Sequence, residues 1–367
     1  MKIFQIVHQY KAFIPIFESR YNVNDCSFEE TIEHLIEEGF MACHLLEPIF
    51  NKSKDAFYTI YDYKKLQLKW AKENNINSDD LKQILIAQLE QAKPDVIYNM
   101  SPQRVGFDVF NALTFKPKIV CWNADAGSID KLKFENYDGL LTSSVNKIKS
   151  NSKAHLFFPS QDPLMNKVDE VEKDIDIFFY GQYAKKLFVE RNEALEMLTR
   201  FCLENNLKFK FALTIHPWTE PLINKMMLWR IPFLKKQFPS KLLSKHSDKP
   251  IYGIDIYKNI KRSKIVFNMS GGLKEFGQYK FNMRIFETLG NGGFMLSDKG
   301  EYPPYFVDGE HFVSYSNLKD LQDKILYYLK NDIERSKIAK NGKALIEDYY
   351  SKSKQYQTFI KIIEAIN

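Results

Sequence analysis

Cysteine is scarce in this chain and scattered: Cys26, Cys43, Cys121 and Cys202 are the four in 367 residues, and no two form a C-x-x-C pair. That spacing argues against a zinc ribbon or a disulfide framework and leaves thiols expected to be reduced and buried. Long apolar runs are missing too. No stretch of eighteen apolar residues occurs, and MKIFQIVHQYKAF lacks the long apolar centre of a signal peptide, so the cytoplasm is the expected compartment. The chain has no G-x-x-x-x-G-K-[ST], G-x-G-x-x-G, G-x-S-x-G or H-E-x-x-H, which speaks against a P-loop, a standard dinucleotide fingerprint, a hydrolase elbow and a zinc peptidase helix. Asp174-Ile-Asp176 could imitate a metal-binding acidic pair, but it precedes its strand and reads as a solvated strand start. No internal repeat or low-complexity tract is visible.

What is present is ample apolar material, 44% of residues, over a length that suggests two domains of ordinary size. Lys2–Val7 reads as a first buried parallel strand with His8 at its carboxyl end, where loops of a doubly wound sheet face a crevice. A histidine there could act as a general base or hydrogen-bond a sugar, the alternative being a structural histidine. Residues 28–40 read as a helix and MACHLLEP as the next strand; 51–80 are poorly periodic, and Ser78 opens another helix. Strands follow at Asp95–Tyr98, Phe115–Trp122 and Tyr137–Ser143, the second leading into NADAG, so that Asn123 and Asp125 also point at the crevice, either as chemistry or as a turn. FFPSQDP is a connector. Beyond it Ile175–Tyr180 is a strand, Gly181 opens a loop, Phe188–Leu203 is a helix and Lys208–Ile215 a strand, the start of a second doubly wound sheet.

The richest stretch is 263–299, a strand, a glycine loop, a helix and another strand. Ile265–Phe267 form the first strand; Gly271, Gly272 and Gly277 interrupt the pattern; Phe281, Ile285 and Leu289 recur every four residues along one helix face, with Arg284 and Glu287 on another. Gly290, Gly292 and Gly293 end the helix before Phe294–Leu296. A helix N-terminus at the carboxyl end of a parallel strand favours an anion, and a phosphate fits there. Glu287 lies about two turns inside the helix, too deep to cap it; it could accept the two hydroxyls of a ribose, or simply pair with a neighbouring cation.

FNMSGG, FNMRIFETLGNGGFMLSD and FVDGEHFVSYSNLKDLQDKILYYLKND resemble the C-terminal nucleotide-sugar-binding half of CgeB-like glycosyltransferases, which have the two-domain GT-B architecture. IDIFFYGQY followed by Arg191 resembles the opening of that half, and AHLFFPSQDP the crossover between halves, so the likeness covers most of 120–350. It implies two Rossmann-like α/β domains facing across a cleft: 1–165 on the acceptor side, 166–350 on the donor side, and 351–367 as a helix packing back on the first. In such an enzyme Gly181, Gln182, Gly271, Gly272 and Lys274 would cradle the donor's diphosphate, Arg191 or Arg284 would partner its charge, and Glu287 would hold the ribose. The resembling family has an aspartate at the place of Asp125, in a loop that contacts the transferred sugar across the wider group. Many retaining members carry two glutamates separated by seven residues. Counting back from Glu287 gives Tyr279, and Glu275 is the nearest upstream carboxylate.

The expected function is therefore metal-independent transfer from a UDP- or GDP-sugar to a glycan, lipid-linked or surface-component acceptor, with Asp125, His8 and Glu275 as candidate catalytic residues and no nucleic-acid partner. A nucleotide-sugar epimerase and a non-catalytic nucleotide-binding scaffold stay open beside it. Residues 216–250 read as an insertion. Within 221–249, Lys225, Arg230, Lys235, Lys236, Lys241, Lys245 and Lys249 stand against Asp248 alone, a local excess equal to the chain's net +6. With Trp229 and its apolar neighbours, this segment is expected to meet an acidic glycan or the inner face of a membrane, the alternative being a solvated basic insertion.

Overall fold

The computed structural model describes residues 1–124, 134–184, 188–215, 239–270 and 278–366. They form two compact units, Met1–Pro159 with Lys352–Asn367, and Ser160–Ser351. Each unit is built on six parallel strands with helices between them, the α/β class that the alternating strand and helix patterns imply.

In the first unit the strands are β1 (Ile3–Val7), β2 (Ala56–Ile60), β3 (Val96–Asn99), β4 (Lys118–Trp122), β5 (Gly139–Thr142) and β6 (Ala154–Leu156), in the spatial order β2-β1-β3-β4-β5-β6. β1 is buried along its whole length, as a parallel strand covered on both faces must be. Its one polar residue, Gln5, is satisfied: the amide donates to the His44 carbonyl at 3.0 Å and accepts from the Leu46 amide at 3.1 Å. That pairing corrects the expectation for MACHLLEP. The segment is a 3-10 turn, Ala42–His44, followed by the short helix Glu47–Phe50, entered through Met41 at φ 55°. Its backbone is tied to a side chain and not to a ladder, yet its residues are buried, and burial without periodicity looks like a strand in sequence. The true neighbour of β1 is β2, inside the stretch that showed little pattern; the helix Lys64–Glu73 lies in the same stretch. The helix expected from Ser78 begins at Leu81 with Asp80 as its cap.

The terminal helix Lys352–Ala365 belongs to this first unit. Lys352 Nζ donates to the Ala42 and Leu45 carbonyls, each at 2.7 Å, and Lys118 Nζ donates to the Ile363 carbonyl at 2.9 Å. A side chain at Gly139 would meet Ile366 Cδ1 at 2.6 Å, so a glycine there lets the helix approach β5. Cys43, Cys121 and Cys202 are buried thiols as expected, whereas Cys26 is half-exposed.

The second unit contains β7 (Ile175–Tyr183), β8 (Phe209–Ile215), β9 (Ser247–Asp248), β10 (Ser263–Asn268), β11 (Met295–Asp298) and β12 (Val313–Tyr315), ordered β12-β11-β10-β7-β8-β9. The chain runs outward from β7 to β9, then crosses to β10 and runs outward the other way. β7 and β10 therefore flank a topological switch point, the position where an open α/β sheet presents a crevice at its carboxyl edge. Phe179, Phe211, Phe267, Leu296 and Tyr315 from the strands pack with Leu195, Leu198 and Leu321 from the helices into one core. Two expectations need correction here. Gly181 and Gln182 do not open a loop but continue β7, paired with Leu213 and Thr214 of β8. The basic insertion is also shorter than 216–250, because Lys241–His246 is a helix and Ser247–Asp248 pairs with β8 as the sheet edge.

Candidate functional site

The helix Met283–Gly290 follows β10 and is buried from Arg284 onward. Its apolar residues Ile285, Phe286 and Leu289 account for most of that burial, and they carry two ionisable side chains, Arg284 and Glu287, into the interior with them. Both converge on Tyr180 of β7. Arg284 Nε donates to the Tyr180 carbonyl at 3.0 Å, and Nη1 donates to Asn268 Oδ1 at the end of β10 at 2.8 Å. The guanidinium thus ties β7 to β10 across the switch point. It also lies 4.3 Å from the Phe179 ring centroid, a cation–π contact in a dry setting. Close packing explains Gly181: a Cβ there would fall 2.6 Å from Arg284 Nη2.

Glu287 is 4% exposed and accepts a hydrogen bond from the Tyr180 hydroxyl at 2.6 Å. Burial pushes its carboxyl up to about 7; the Tyr180 bond and Arg284 pull the other way, and the negative Asp162 adds to the rise. Asp162 is itself fully buried and accepts from the Tyr257 hydroxyl at 2.7 Å. Burial lowers the Arg284 value, with Tyr180, Glu287 and Asp298 opposing. Among the described residues Tyr180 is the one hydrogen-bond donor to the Glu287 carboxylate, which leaves Oε1 able to take a ligand's hydroxyl. Arg191, in the first turn of the helix Val189–Glu204, is 6% exposed, donates to the Gln182 carbonyl at 2.8 Å and stacks 3.7 Å from the Phe188 ring centroid.

Beside this group lies a polar network at the ends of β10 and β11. Lys280 and Asp298 form an ion pair with both side chains wholly buried. Burial raises the Asp298 carboxyl despite the Lys280 ammonium. Asp298 also accepts from the Ser270 amide at 3.2 Å. Asn282 donates to Asn268 Oδ1 at 2.9 Å, Asn268 donates to Ser297 Oγ at 2.8 Å, and the Tyr302 hydroxyl donates to Ser297 Oγ at 2.6 Å. Satisfied throughout, such a network fixes the described residues on either side of 271–277.

The structure brings five of the sequence-derived donor residues together in the second unit: Gly181, Gln182, Arg191, Arg284 and Glu287. His8 directly follows β1 in the first unit, its Nδ1 2.9 Å from Ser101 Oγ, which places it at that sheet's own switch point between β1 and β3. Asn123 is buried and bound by the Lys147 ammonium. Asp125, Gly271, Gly272, Lys274, Glu275, Trp229, Lys235 and Lys236 lie outside the described residues; Lys241 is exposed at the start of its helix. Among the described residues no cluster of three or more His, Cys, Asp or Glu is spaced to hold a metal, and no helix is long and apolar enough to cross a membrane. Sequence reasoning missed Tyr180, Asn268, Lys280 and Asp298. Tyr180 and Asn268 could have been found as the polar residues closing apolar strand runs on either side of the switch point; Lys280 carries no such signal.

Residues 191–361 match the family model described as glycosyl transferase-like. No curated protein matches the chain. Among solved structures, Alr3699/HepE of Anabaena in complex with UDP-glucose superposes with a TM-score of 0.59 at 13% identity over 100% of both chains. A glycosyltransferase from Rickettsia africae gives 0.54 at 11% identity over 100% of this chain and 98% of that one. Staphylococcus aureus TarM, in a complex with fondaparinux, alpha-GlcNAc-glycerol and UDP, gives 0.52 at 12% identity over 78% of this chain and 59% of the other. The fold is therefore that of the GT-B glycosyltransferases, two parallel α/β units in one chain.

Proposed function

We propose that this chain transfers a sugar from a nucleotide-diphosphate donor to the hydroxyl of a glycan, lipid-linked or surface-component acceptor without a metal ion, and that it belongs with the CgeB-like enzymes. The observation that carries the proposal is the Tyr180–Arg284–Glu287 cluster at the switch point of the second sheet, whose helix residues Arg284 and Glu287 lie within the segment 191–361 that matches a glycosyl transferase-like family. UDP and UDP-sugars are present in solved structures of the same fold.

In the proposed reaction the acceptor oxygen attacks the anomeric carbon, the bond from that carbon to the diphosphate oxygen breaks, and its electron pair leaves with the nucleoside diphosphate. The acceptor proton passes to a base, for which His8 and Asp125 are the candidates and Glu275 the alternative. Charge growing on the diphosphate is met by the amides of Gly271 and Gly272, by Lys274 and by the helix N-terminus behind them. Arg284 acts mainly through position, since its N–H groups are already bonded to β7 and β10, while its charge still biases the site towards an anion. Glu287 offers Oε1 to the ribose. The basic stretch 221–249 is where an acidic glycan or anionic lipid surface would be met.

The test is product analysis with UDP- and GDP-sugars, with and without acceptors. Release of nucleoside diphosphate together with a glycosylated acceptor supports transfer. An isomerised donor sugar formed without acceptor would make the protein an epimerase, and donor binding with no turnover across an acceptor panel would make it a scaffold. In calorimetry, Glu287→Ala should weaken donor binding by about tenfold to a hundredfold, the loss of a charged hydrogen bond; unchanged affinity would remove Glu287 from the site.

A further inference from the structure

The amino-terminal edge of the second sheet, opposite the end that carries the Tyr180 cluster, holds a separate pocket of about 230 Å³. Six cations line it: Lys173 before β7, Lys261 at the end of the helix Ile254–Arg262, Lys264 at the start of β10, and Arg335, Lys340 and Lys343 on the helix Asp332–Tyr349. Among the described residues Glu170 is the one carboxylate in the lining. Three more carboxylates reach these cations from outside the lining: Asp176 pairs with Lys264 at 2.7 Å, Asp332 with Arg335, and Glu347 with Lys343 at 3.6 Å. Counting all four, two positive charges remain unmatched.

Three of the cations are held in place. Lys173 donates to the carbonyls of Lys261 and Ser263 at 2.9 and 3.0 Å, and Arg335 donates to the Tyr328 carbonyl. The side chains of Lys261 and Arg335 are 8% and 5% exposed. Burial, assisted by Arg335 and Lys261, lowers the Lys173 value, with Glu170 opposing. Glu170, paired with Lys261, is 77% exposed, so water can solvate it when an anion takes its place beside Lys261. Three fixed cations and three more accessible ones around this pocket, with one exposed carboxylate in its lining, have the form of an anion site in which Glu170 occupies the place of the ligand when the pocket is empty. Two or more unmatched charges favour a multiply charged anion over a carboxylate or halide.

We propose that this pocket binds a phosphate or diphosphate group, free or as the charged end of a larger molecule, at a place separate from the donor site. The wall of the pocket includes Gly292, in the turn that ends the helix carrying Arg284 and Glu287, so the two sites share one element.

The probes are inorganic phosphate, pyrophosphate and vesicles containing phosphatidylglycerol, titrated against the full chain by calorimetry with UDP at saturation to occupy the donor site. Saturable binding of phosphate or pyrophosphate is expected, with chloride at equal ionic strength giving none. Lys340→Glu/Lys343→Glu should weaken it by about tenfold or more through surface changes that leave the core intact. Glu170→Gln should strengthen it severalfold, which a merely structural ion pair would not do. Binding to vesicles but not to the free anions would assign the pocket to a lipid headgroup held at an interface and overturn the small-ligand proposal. Binding unaffected by either variant, or no binding of any probe, would overturn the site itself. None of these outcomes depends on whether the donor site performs glycosyl transfer.

Discussion

Glu287 gives a prediction that depends on burial and not on any ligand. Its carboxyl moves from an ordinary 4.5 to about 7 because it sits 4% exposed among apolar side chains, with Tyr180 and Arg284 offsetting part of the penalty. The sign follows from proton counts. Below pH 4.5 folded and unfolded chains both hold the proton; between 4.5 and 7 the unfolded chain gives it up while the folded one keeps it, so stability falls as pH rises; above 7 both are ionised and the loss is complete. The full difference is about 3 kcal/mol. Glu287→Gln keeps the shape and can still accept from the Tyr180 hydroxyl, but it has no proton to lose. Urea unfolding followed by circular dichroism at half-unit steps from pH 4.5 to 8.5 should therefore show the wild type losing about 3 kcal/mol relative to the variant across that window. Parallel curves would mean that Glu287 is solvated and ionised throughout, and the argument from burial would fall.

The Lys280–Asp298 pair is wholly buried, so Lys280→Met should cost about 3–5 kcal/mol by stranding a carboxylate, and Lys280→Met/Asp298→Leu should recover most of it; a double variant as unstable as the single one would show that the pair holds more than itself together. His44 is buried against Trp122 with its value lowered to about 3 by burial and by Lys352, so stability present above pH 6.5 should be lost as pH falls towards 3, by about 4–5 kcal/mol, and His44→Phe should lose that limb in acid melts; identical acid curves would refute it. Transferase activity should persist in EDTA, and loss restored by Mg²⁺ or Mn²⁺ would contradict a leaving group stabilised by amides and cations alone.

The strands of both sheets were largely legible because buried parallel strands are short apolar runs bounded by turn residues, and β1, β3, β8, β10 and β11 are all of that kind. MACHLLEP failed by the same rule: Leu45 and Leu46 are as buried as any strand residue, and only the tertiary bond from Gln5 distinguishes the segment. β2 was overlooked because AFYTI lies at a sheet edge among lysines and asparagines, where a strand needs less apolar character. At the site, spacing identified Arg284 and Glu287 as neighbours on one helix but could not say that both face Tyr180, since the meeting of β7 with β10 is set by the crossover and not by anything local. Gly181 was legible as a residue of interest for a partly mistaken reason. It is needed for close approach of Arg284 to an unbroken strand, where the sequence suggested the opening of a loop.

Charge shows most clearly how far a linear count can mislead. Residues 221–249 carry an excess that equals the chain's net +6, and that equality invites the conclusion that the rest of the surface is balanced. It is balanced in sum and uneven in space. Six cations drawn from residues 173 to 343 gather at one edge of the second sheet, because the strand starts, the end of one helix and the first turns of another all open there. Four carboxylates, Glu170, Asp176, Asp332 and Glu347, reach these cations, and other acidic residues are engaged elsewhere: Asp320 and Asp323 pair with Lys324 and Lys319 on the helix Leu318–Lys330. A sequence-based electrostatic argument therefore holds for contiguous segments and fails for pockets, whose lining is chosen by topology. The two ends of the second sheet illustrate the difference. At its carboxyl end Lys280 pairs with Asp298 and Glu287 with Tyr180, which leaves Arg284, bonded to β7 and β10, as the charge that biases that end towards an anion. At its amino end the surplus is carried by side chains, so binding there should weaken steeply with salt and respond to single charge changes, as binding to backbone amides would not.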